Sequence, residues 1–260
     1  MEEIARGRCA RIFRHDLGVL KLYDDRFSRS WVEENAERSA TIADAGIAAP
    51  HVHAVESHDG LHGMVMEFIE GVTLWDALVA DPDRSDQYAA EFAELHRQIH
   101  QCPPGDLQDG VARQRGRIAE TASVDPAIRD EALGLSDRFA DQPRVLIHGD
   151  LHPGNAMVKP DGTIVGIDWD FPLAAPAAYD MTRSVYLASM WAPAPGTDPA
   201  VAGVRESFAE AFRAAFVNGD AEMDAHMDGW RLPHLVARFH ENIPEEYDVL
   251  RAEIADVSNN

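Results

Sequence analysis

The sequence has few cysteines, few lysines and no long apolar stretch. Its two cysteines, Cys9 and Cys102, form neither a CxxC motif nor a disulfide framework, which predicts a reduced cytoplasmic chain. No run of about eighteen apolar residues occurs, so no membrane-spanning helix is expected. The opening residues MEEIARGRCARIFRHD are charged from the second position and lack the apolar core of a signal peptide.

Positive charge is also scarce. Lysine and arginine together number 23 against 45 acidic residues, which gives a formal net charge of −22. This excess argues against a nucleic-acid-binding surface. Lys21 and Lys159 are the two lysines of the chain, and all other basic side chains except histidine are arginines. A GC-rich coding bias accounts for the preference for arginine over lysine. Because lysine is so rare, the position of each lysine is informative.

The first 70 residues predict a small unit made mostly of strands. CARIFR and GVLKLY flank the turn-prone HDLG and predict a hairpin. Residues 30–45 have helical character and end at Gly46. AAPHVHAVES and LHGMVMEFI predict two further strands around a polar turn, and Gly71 closes this half of the chain.

The rest of the chain predicts mainly helices. Residues 85–100 place apolar side chains on one face of a predicted helix, for which Ser85 is a candidate N-cap. Residues 199–217 also place apolar side chains on one face of a predicted helix. The apolar positions are Tyr88, Phe92, Leu95 and Ile99 in the first helix, and Val204, Phe208, Phe212 and Phe216 in the second. Between the two helices we predict strands at 144–147 and 163–167, and a loop at 192–199.

The stretch HGDLHPGN, followed by IDWDFP, concentrates oxygen-bearing side chains. Asp150 and Asn155 are separated by four residues, and Asp168 stands at the end of a predicted β-hairpin. Carboxylate and amide oxygens suit Mg²⁺, which takes the rest of its shell from water and phosphates. A simple turn also uses Asp, Gly, Pro and Asn. However, D-x₄-N followed by a strand that ends in Asp is the arrangement of a kinase catalytic loop and its metal-binding aspartate.

These motifs resemble the aminoglycoside phosphotransferase and choline kinase-like family, which has a protein-kinase-like fold. ARGRCARIFRHDLGVLKLY resembles the family's nucleotide-covering hairpin and the strand that carries its ATP-binding lysine. GIAAPHVHAV and GMVMEFIEGVTL resemble the next strands and the hinge, and AAYDMTR resembles the start of a later helix. The resemblance covers about residues 4–186, and the helices after residue 200 match no motif.

The resemblance implies specific roles for residues of this chain. Asp150 matches the catalytic base that faces the acceptor hydroxyl, and Asn155 and Asp168 match the two Mg²⁺ ligands. Lys21 matches the lysine that holds the α- and β-phosphates of ATP. Asp170 either assists the metal or caps a loop.

The resemblance also implies a helix partner for the lysine and a hinge that binds adenine. Glu37 is the chosen partner of Lys21, with Glu33 and Glu34 as alternatives. Adenine is expected to bond to the backbone of Glu67 and Ile69 behind Met66, so Met66, Glu67 and Ile69 are the predicted hinge positions.

We therefore predict an α+β, two-lobed, protein-kinase-like fold with a nucleotide-binding lobe at 1–70 and a catalytic, acceptor-binding lobe at 71–260. The predicted activity is transfer of the γ-phosphoryl group of ATP to a hydroxyl of a small molecule, with Mg²⁺ as cofactor. A kinase-like protein that binds nucleotide without turnover is an alternative. A metal-dependent phosphoesterase is disfavoured, because the additional D-x-H, G-D-x-x-D and G-N-H motifs of that class are missing.

The acceptor is not identified by any motif. DAEMDAHMD at 220–228 and ENIPEEYD at 241–248 concentrate carboxylates, and on a helix Asp220, Asp224 and Asp228 would line one face. One hypothesis is that such a cluster attracts a cationic, amine-bearing alcohol. The alternative is an ordinary solvated surface of an acidic protein. The sequence does not distinguish ATP from GTP or reveal an oligomeric state.

Overall fold

The structure is a computed structural model that describes residues 1–190 and 199–259. Its strands are β1 (Glu3–Arg6), β2 (Ala10–His15), β3 (Gly18–Tyr23), β4 (Val52–His58), β5 (Leu61–Met66), β6 (Val72–Thr73), β7 (Val145–Ile147), β8 (Ala156–Val158), β9 (Ile164–Gly166) and β10 (Leu173–Ala175). Its helices are α1 (Arg29–Asp44), α2 (Leu74–Ala80), α3 (Ser85–His100), α4 (Gly110–Glu120), α5 (Pro126–Arg138), α6 (Ala177–Met190), α7 (Pro199–Val217), α8 (Ala221–Arg238) and α9 (Tyr247–Asn259). The predicted loop at 192–199 lies outside the described residues except for Pro199, which begins α7.

The chain divides into two compact units, each made of two segments. The first contains Met1–Leu74 and Gly154–Phe171, and the second contains Trp75–Pro153 and Pro172–Asn260. The functional division into lobes at 1–70 and 71–260 stays a prediction. Among the described residues, no helix combines the length and the apolar character needed to cross a bilayer.

The first unit is built on an antiparallel sheet with the strand order β1-β2-β3-β5-β4. The predicted hairpin is confirmed, since Ile12 pairs with Lys21 and His15 with Gly18. Helix α1 begins after Ser28, whose side chain accepts the Trp31 N–H, and buries Val32 and Ala36 against the sheet. This capping oxygen satisfies one of the free N–H groups at the helix start.

A glycine allows β5 to lie close to β3. A Cβ atom on Gly63 would stand 2.5 Å from the Lys21 carbonyl oxygen, which is too near for any side chain. Gly63 pairs with Leu22, and the neighbouring Met64 pairs with Lys21. The close approach fixes the register of the strand that carries the lysine.

A second, three-stranded sheet in the first unit has the order β6-β8-β9. Strands β8 and β9 form the predicted hairpin, with Ala156 opposite Gly166 and Val158 opposite Ile164. Gly162 turns the chain between them at a φ of 90°. Because the register is set at both ends, the residues just before β8 and just after β9 lie side by side.

The second unit is mainly helical, and the two predicted helices are confirmed. Phe92 of α3 and Phe208 and Phe212 of α7 are fully buried, with ring centroids 4.8 to 6.1 Å apart. Strands β7 and β10 form a short antiparallel pair in this unit. The prediction of Ser85 as an N-cap was wrong: a 3₁₀ turn at Pro82–Arg84 runs directly into α3, and Ser85 is its first helical residue.

A buried carboxylate joins α3 to α6. The Oδ2 atom of Asp180 accepts hydrogen bonds from His96 Nδ1 at 3.2 Å and from His100 Nε2 at 3.0 Å. Burial alone would raise the pKa of Asp180, but the hydrogen bonds from His100 and His96 outweigh it and hold that pKa below its ordinary value. Asp180 is therefore ionised at neutral pH, as an acceptor of two imidazole N–H groups.

We expect Asp180→Ala to lower the free energy of unfolding by about 2–5 kcal/mol at pH 7, because two buried imidazole N–H groups lose their acceptor. The depressed pKa places this stabilisation above pH ~4, and it is lost as the pH falls through the folded-state pKa. Urea unfolding followed by circular dichroism measures both effects. Asp141→Ala, at an exposed position, is the control and should change the same quantity by no more than about 0.5 kcal/mol.

Candidate active site

Lys21 lies buried between two carboxylates in the first unit. Its ammonium forms an ion pair with Asp168, and its Nζ atom is 2.7 Å from Asp170 Oδ1. Burial alone would lower the pKa of Lys21, but the negative charges of Asp168 and Asp170 outweigh it and raise that pKa above its ordinary value. The lysine is therefore a permanent positive charge in a protein of net charge −22.

Asp170 is held by three donors on a single oxygen. Besides Lys21, the Tyr23 hydroxyl donates to Asp170 Oδ1 at 2.6 Å and Asn35 Nδ2 donates at 3.3 Å. Burial raises the pKa of Asp170 despite the opposing charge of Lys21, and the nearby charge of Asp168 adds to the rise. Burial, together with the charge of Asp170, raises the pKa of Tyr23 well above its ordinary value, so the phenol stays a donor.

Aromatic rings surround this cluster. Tyr23 lies 5.4 Å from Phe27 and 5.2 Å from Trp31 between ring centroids, and Trp31 lies 5.8 Å from Phe171. The Lys21 Nζ atom lies 5.3 Å from the centre of the Tyr23 ring. The Lys21 side chain is itself only 9% exposed, and a low local dielectric strengthens its charge interactions.

The hairpin β8-β9 brings the two predicted metal ligands together. The Ile167 N–H donates to the Asn155 carbonyl at 2.9 Å, so Asn155 lies beside the residue that precedes Asp168. Asp168 has a φ of 68°, a left-handed conformation uncommon for residues other than glycine and often found at functional sites. Its side chain is 43% exposed. A carboxylate and an amide at adjacent positions form a donor set that fits Mg²⁺.

The structure does not bring Glu37 to Lys21. Glu37 is exposed, Glu33 pairs with Arg29, and Glu34 pairs with Arg38, each on the surface of α1. On the buried face of the same helix it is Asn35 that reaches the lysine's cluster, through Asp170. The physical reason is the helical period: Asn35 shares the buried face with Val32 and Ser39, whereas the three glutamates point to solvent.

The predicted hinge follows β5. The Glu67 N–H donates to the His51 carbonyl at 2.8 Å, which leaves the Glu67 carbonyl and the backbone of Ile69 as the groups an adenine could meet. Gly18 packs against this segment, since a Cβ there would stand 2.3 Å from the Met66 carbonyl oxygen. The adenine contacts of Met66, Glu67 and Ile69 stay a prediction.

Asp150 lies in the second unit, and an arginine holds it. Arg183 Nη2 donates to Asp150 Oδ1 at 2.8 Å, and Arg183 Nε donates to the Gly149 carbonyl at 2.7 Å. The Asp150 N–H donates to His148 Nδ1 at 3.3 Å. The Asp150 side chain remains 45% exposed, so a substrate can approach it.

The acidic clusters of the C-terminal helices are largely neutralised by arginines. Arg213 of α7 binds Asp224 at 2.6 Å and Asp228 at 2.8 Å. Asp220 caps α8 instead of lining its face, because its side chain accepts two backbone N–H groups. Glu246 forms a two-pronged ion pair with Arg238. These carboxylates therefore do not form the open anionic face that the sequence suggested.

A cavity of about 390 Å³ lies among the helices of the second unit. It is lined by Thr182, Val185, Tyr186 and Ser189 of α6, Glu206, Ala209, Glu210 and Arg213 of α7, Met227, Arg231, His234 and Leu235 of α8, and Glu253 of α9. Burial, together with the charge of Arg183, lowers the pKa of His234 to about 3, so this imidazole is neutral at pH 7. Tyr186 stands one helical turn from Arg183.

The sequence profile of the phosphotransferase enzyme family, APH, matches residues 2–250. The chain belongs to this family. Among curated proteins, methylthioribose kinase 1 of Oryza sativa subsp. japonica is 40% identical over 63 residues. The match spans 24% of this chain and 14% of the length of that relative.

Several solved structures share the fold. A thermostable mutant of aminoglycoside phosphotransferase APH(4)-Ia has a TM-score of 0.70 at 17% identity, over 98% of this chain and 92% of that one. A choline/ethanolamine kinase family protein from Mesorhizobium loti has a TM-score of 0.65 at 16% identity, over 98% and 84%. APH(3'')-Id from Streptomyces rimosus, solved with ADP and streptomycin, has a TM-score of 0.54 at 18% identity, over 85% and 90%. The predicted α+β, protein-kinase-like fold is confirmed.

Several side chains of the site escaped the sequence-based assignment. Tyr23 follows Lys21 by two positions, and this spacing in an extended segment is the available signal. Asp170, for which the sequence leaves a metal-assisting and a loop-capping role open, forms an ion pair with Lys21. Arg183 follows Asp180 by three positions within the family motif AAYDMTR. The role of Asn35 could be predicted only by identifying which face of α1 is buried.

Proposed function

We propose that the protein transfers the γ-phosphoryl group of ATP to a hydroxyl group of a small molecule. The observation that carries this proposal is the buried Lys21 cluster, in which a lysine on a central strand meets Asp168 beside Asn155. Phosphoryl transfer asks a protein mainly for positioning and charge neutralisation. Membership of the phosphotransferase enzyme family supports the same chemistry.

The first unit is proposed to bind the nucleotide. Lys21 would neutralise the α- and β-phosphates, and the backbone at Glu67 and Ile69 would bond to adenine. Asp168 and Asn155 would hold Mg²⁺, which would supply charge neutralisation at the β- and γ-phosphates. Asp168 has a left-handed backbone conformation just after β9, and its half-exposed carboxylate forms an ion pair with Lys21.

Asp150 is proposed to be the catalytic base. The acceptor hydroxyl oxygen forms a bond to the γ-phosphorus while the bond from that phosphorus to the β–γ bridging oxygen breaks, which releases ADP. The hydroxyl proton passes to the Asp150 carboxylate. A positioned base of this kind contributes about 10²–10⁴-fold to the rate.

We assign the acceptor to the cavity of the second unit, because it begins one helical turn from the arginine that holds Asp150. Among its charged lining residues, Arg213 is neutralised by Asp224 and Asp228, and Arg231 pairs with Glu253. Glu206 and Glu210 supply the remaining charge. This balance favours a cationic, amine-bearing alcohol.

A screen of hydroxylated metabolites and antibiotics for an ATP-dependent mass gain of one phosphoryl group tests the proposed function. A nucleotide-binding protein without turnover would bind ATP and leave every candidate unmodified.

The use of ATP and the two cysteines, both free thiols, agree with a cytoplasmic location.

The first prediction separates the base from the metal ligand. Asp150→Ala should lower kcat by about 10²–10⁴-fold and leave the affinity for Mg·ATP nearly unchanged, since only proton transfer is lost. Asp168→Ala should also remove the Mg²⁺ dependence of nucleotide binding. Steady-state kinetics and titration calorimetry measure these quantities, with the exposed Asp161→Ala of the same hairpin as control. Wild-type turnover in both active-site variants would refute the assignments.

The second prediction concerns the two lysines. Lys21→Ala should weaken ATP binding or lower kcat, and Lys21→Arg should not restore either, because a planar guanidinium does not replace a compact charge at a buried position. Lys159→Ala is the matched control, since that lysine is 40% exposed and its nearest carboxylate is 3.9 Å away. Full activity of the arginine variant would contradict the proposed role.

The third prediction concerns the acceptor. Neutralising Glu206 and Glu210 together by substitution with Gln should raise the KM for the acceptor found in the screen and leave the KM for ATP unchanged. The acceptor KM should also rise with ionic strength, because exposed charges are screened over about 8–10 Å near physiological salt. Glu222→Gln on the surface of α8 is the control. A neutral or anionic acceptor with a salt-independent KM would refute the cationic class and leave the kinase chemistry intact.

A further inference from the structure

Arg183 contacts both the main chain and the side chain of the catalytic loop. Its Nε atom donates to the Gly149 carbonyl at 2.7 Å, and its Nη2 atom donates to Asp150 Oδ1 at 2.8 Å. The arginine side chain is only 13% exposed. A planar guanidinium with two donors on adjacent groups fixes their relative orientation, which a single point charge does not do.

Glu241 accepts a hydrogen bond from the same guanidinium nitrogen that binds Asp150. Arg183 Nη2 donates to Glu241 Oε1 at 3.2 Å, and Arg238 Nη1 donates to Glu241 Oε2 at 2.6 Å. Arg117 reaches Glu241 Oε1 at 3.4 Å, and Arg238 also binds Glu246. Arg183 is therefore also held by a second carboxylate, which two other arginines bind.

The charges of this network compensate one another. The network contains three arginines, Arg117, Arg183 and Arg238, all paired with Glu241. Two further carboxylates complete it: Asp150 binds Arg183, and Glu246 binds Arg238. Burial alone would raise the pKa of Glu241, but the charges of Arg183, Arg238 and Arg117 outweigh it and lower that pKa. Glu241 is therefore ionised at neutral pH, and the hydrogen bonds that it accepts from Arg183 and Arg238 are of the strong, charge-assisted kind.

We propose that Arg183 is the positioning residue of the catalytic base, and that Glu241 anchors it. The proposal rests on the assignment of Asp150 as the base. A base must lie within hydrogen-bond reach of the hydroxyl it deprotonates. Displacement of a reacting group by about 1 Å costs about 10²-fold in rate. Arg183 acts on the reaction through the Asp150 carboxylate and the Gly149 carbonyl, and Glu241 links this support to the turn that follows α8.

The test uses the full chain with Mg·ATP and water as the phosphoryl acceptor, and measures ADP release. Arg183→Met should lower kcat by about 10- to 100-fold and leave the KM for ATP within about twofold, because orientation is lost and the nucleotide contacts are kept. Arg183→Lys should recover part of the rate through a single donor. Arg144→Met is the matched control: Arg144 also bonds to one aspartate, Asp109, and to backbone carbonyls, and its replacement should leave kcat unchanged.

A double-mutant cycle separates positioning from a general structural role. In the Asp150→Asn background, Arg183→Met should cause no further loss of kcat, because the base through which it acts is already absent. Losses that simply multiply, or a single Arg183→Met variant with wild-type kcat, would overturn the proposal. If Asp150→Asn itself keeps the wild-type rate, the proposed function fails instead.

Glu241→Gln keeps the test valid if Arg183→Met does not fold, since removing one partner of a buried ion pair is strongly destabilising. The amide retains an oxygen acceptor for Arg183 and removes the negative charge. We expect a loss of kcat of about 2- to 10-fold with an unchanged KM for ATP and a wild-type circular dichroism spectrum. An unchanged kcat would remove Glu241 from the proposal.

Discussion

A lysine ammonium buried between two carboxylates is the interaction on which the first unit depends. Burial disfavours the charged form of Lys21, and the charges of Asp168 and Asp170 offset this cost. The arrangement holds only if β3 and the segment after β9 keep their registers. Gly63 lets β5 approach the lysine strand, and the pairing of Ala156 with Gly166 places Asp168 at the end of its hairpin. The registers of the strands therefore bring Lys21 and Asp168 together, and the resulting ion pair offsets the cost of burying the lysine.

In the second unit an arginine, Arg183, is the buried cation that binds carboxylates. Arg183 contacts a carbonyl and two carboxylates with a rigid, planar group. Lys21 instead presents one compact charge at a place where a phosphate is proposed to bind. Arginine suits the orientation of planar partners, and lysine suits the neutralisation of a multivalent anion. In a chain that uses lysine twice, the choice at position 21 is chemically informative.

Much of the fold could be predicted from the sequence because it follows from local periodicity. The strands of the first hairpin and the apolar faces of α3 and α7 appear where the spacing places them. The loop motif also identified residues that the structure brings together, since Asn155 and Asp168 lie at one end of a hairpin. Local sequence patterns do not predict which side chains of a helix such as α1 face the site. The family resemblance implies Glu37, with Glu33 and Glu34 as alternatives, whereas the geometry of α1 presents Asn35 to the buried cluster.

Contacts between distant segments explain the remaining differences. The partner of Asp150 is 33 residues away in the chain, and Glu241 follows Arg183 by a further 58. Nothing in either local sequence specifies that these segments meet. Likewise, the carboxylates at Asp224 and Asp228 read as an open anionic face until Arg213, from the preceding helix, is seen to bind both.

The distribution of neutralised and available charge gives each unit a distinct electrostatic character. Most clustered carboxylates of α8 and the following turns serve arginines of the same unit, so they contribute little net field. Glu206 and Glu210 line the cavity and form no ion pair within the part of the chain that the structure describes, so their charge is available to a ligand. In the first unit Lys21 is paired with Asp168 and Asp170, and the proposed nucleotide would share the lysine with these carboxylates. The proposed anionic and cationic ligands are compatible with one acidic chain, because the local arrangement of charges, and not the net charge, determines what a site attracts.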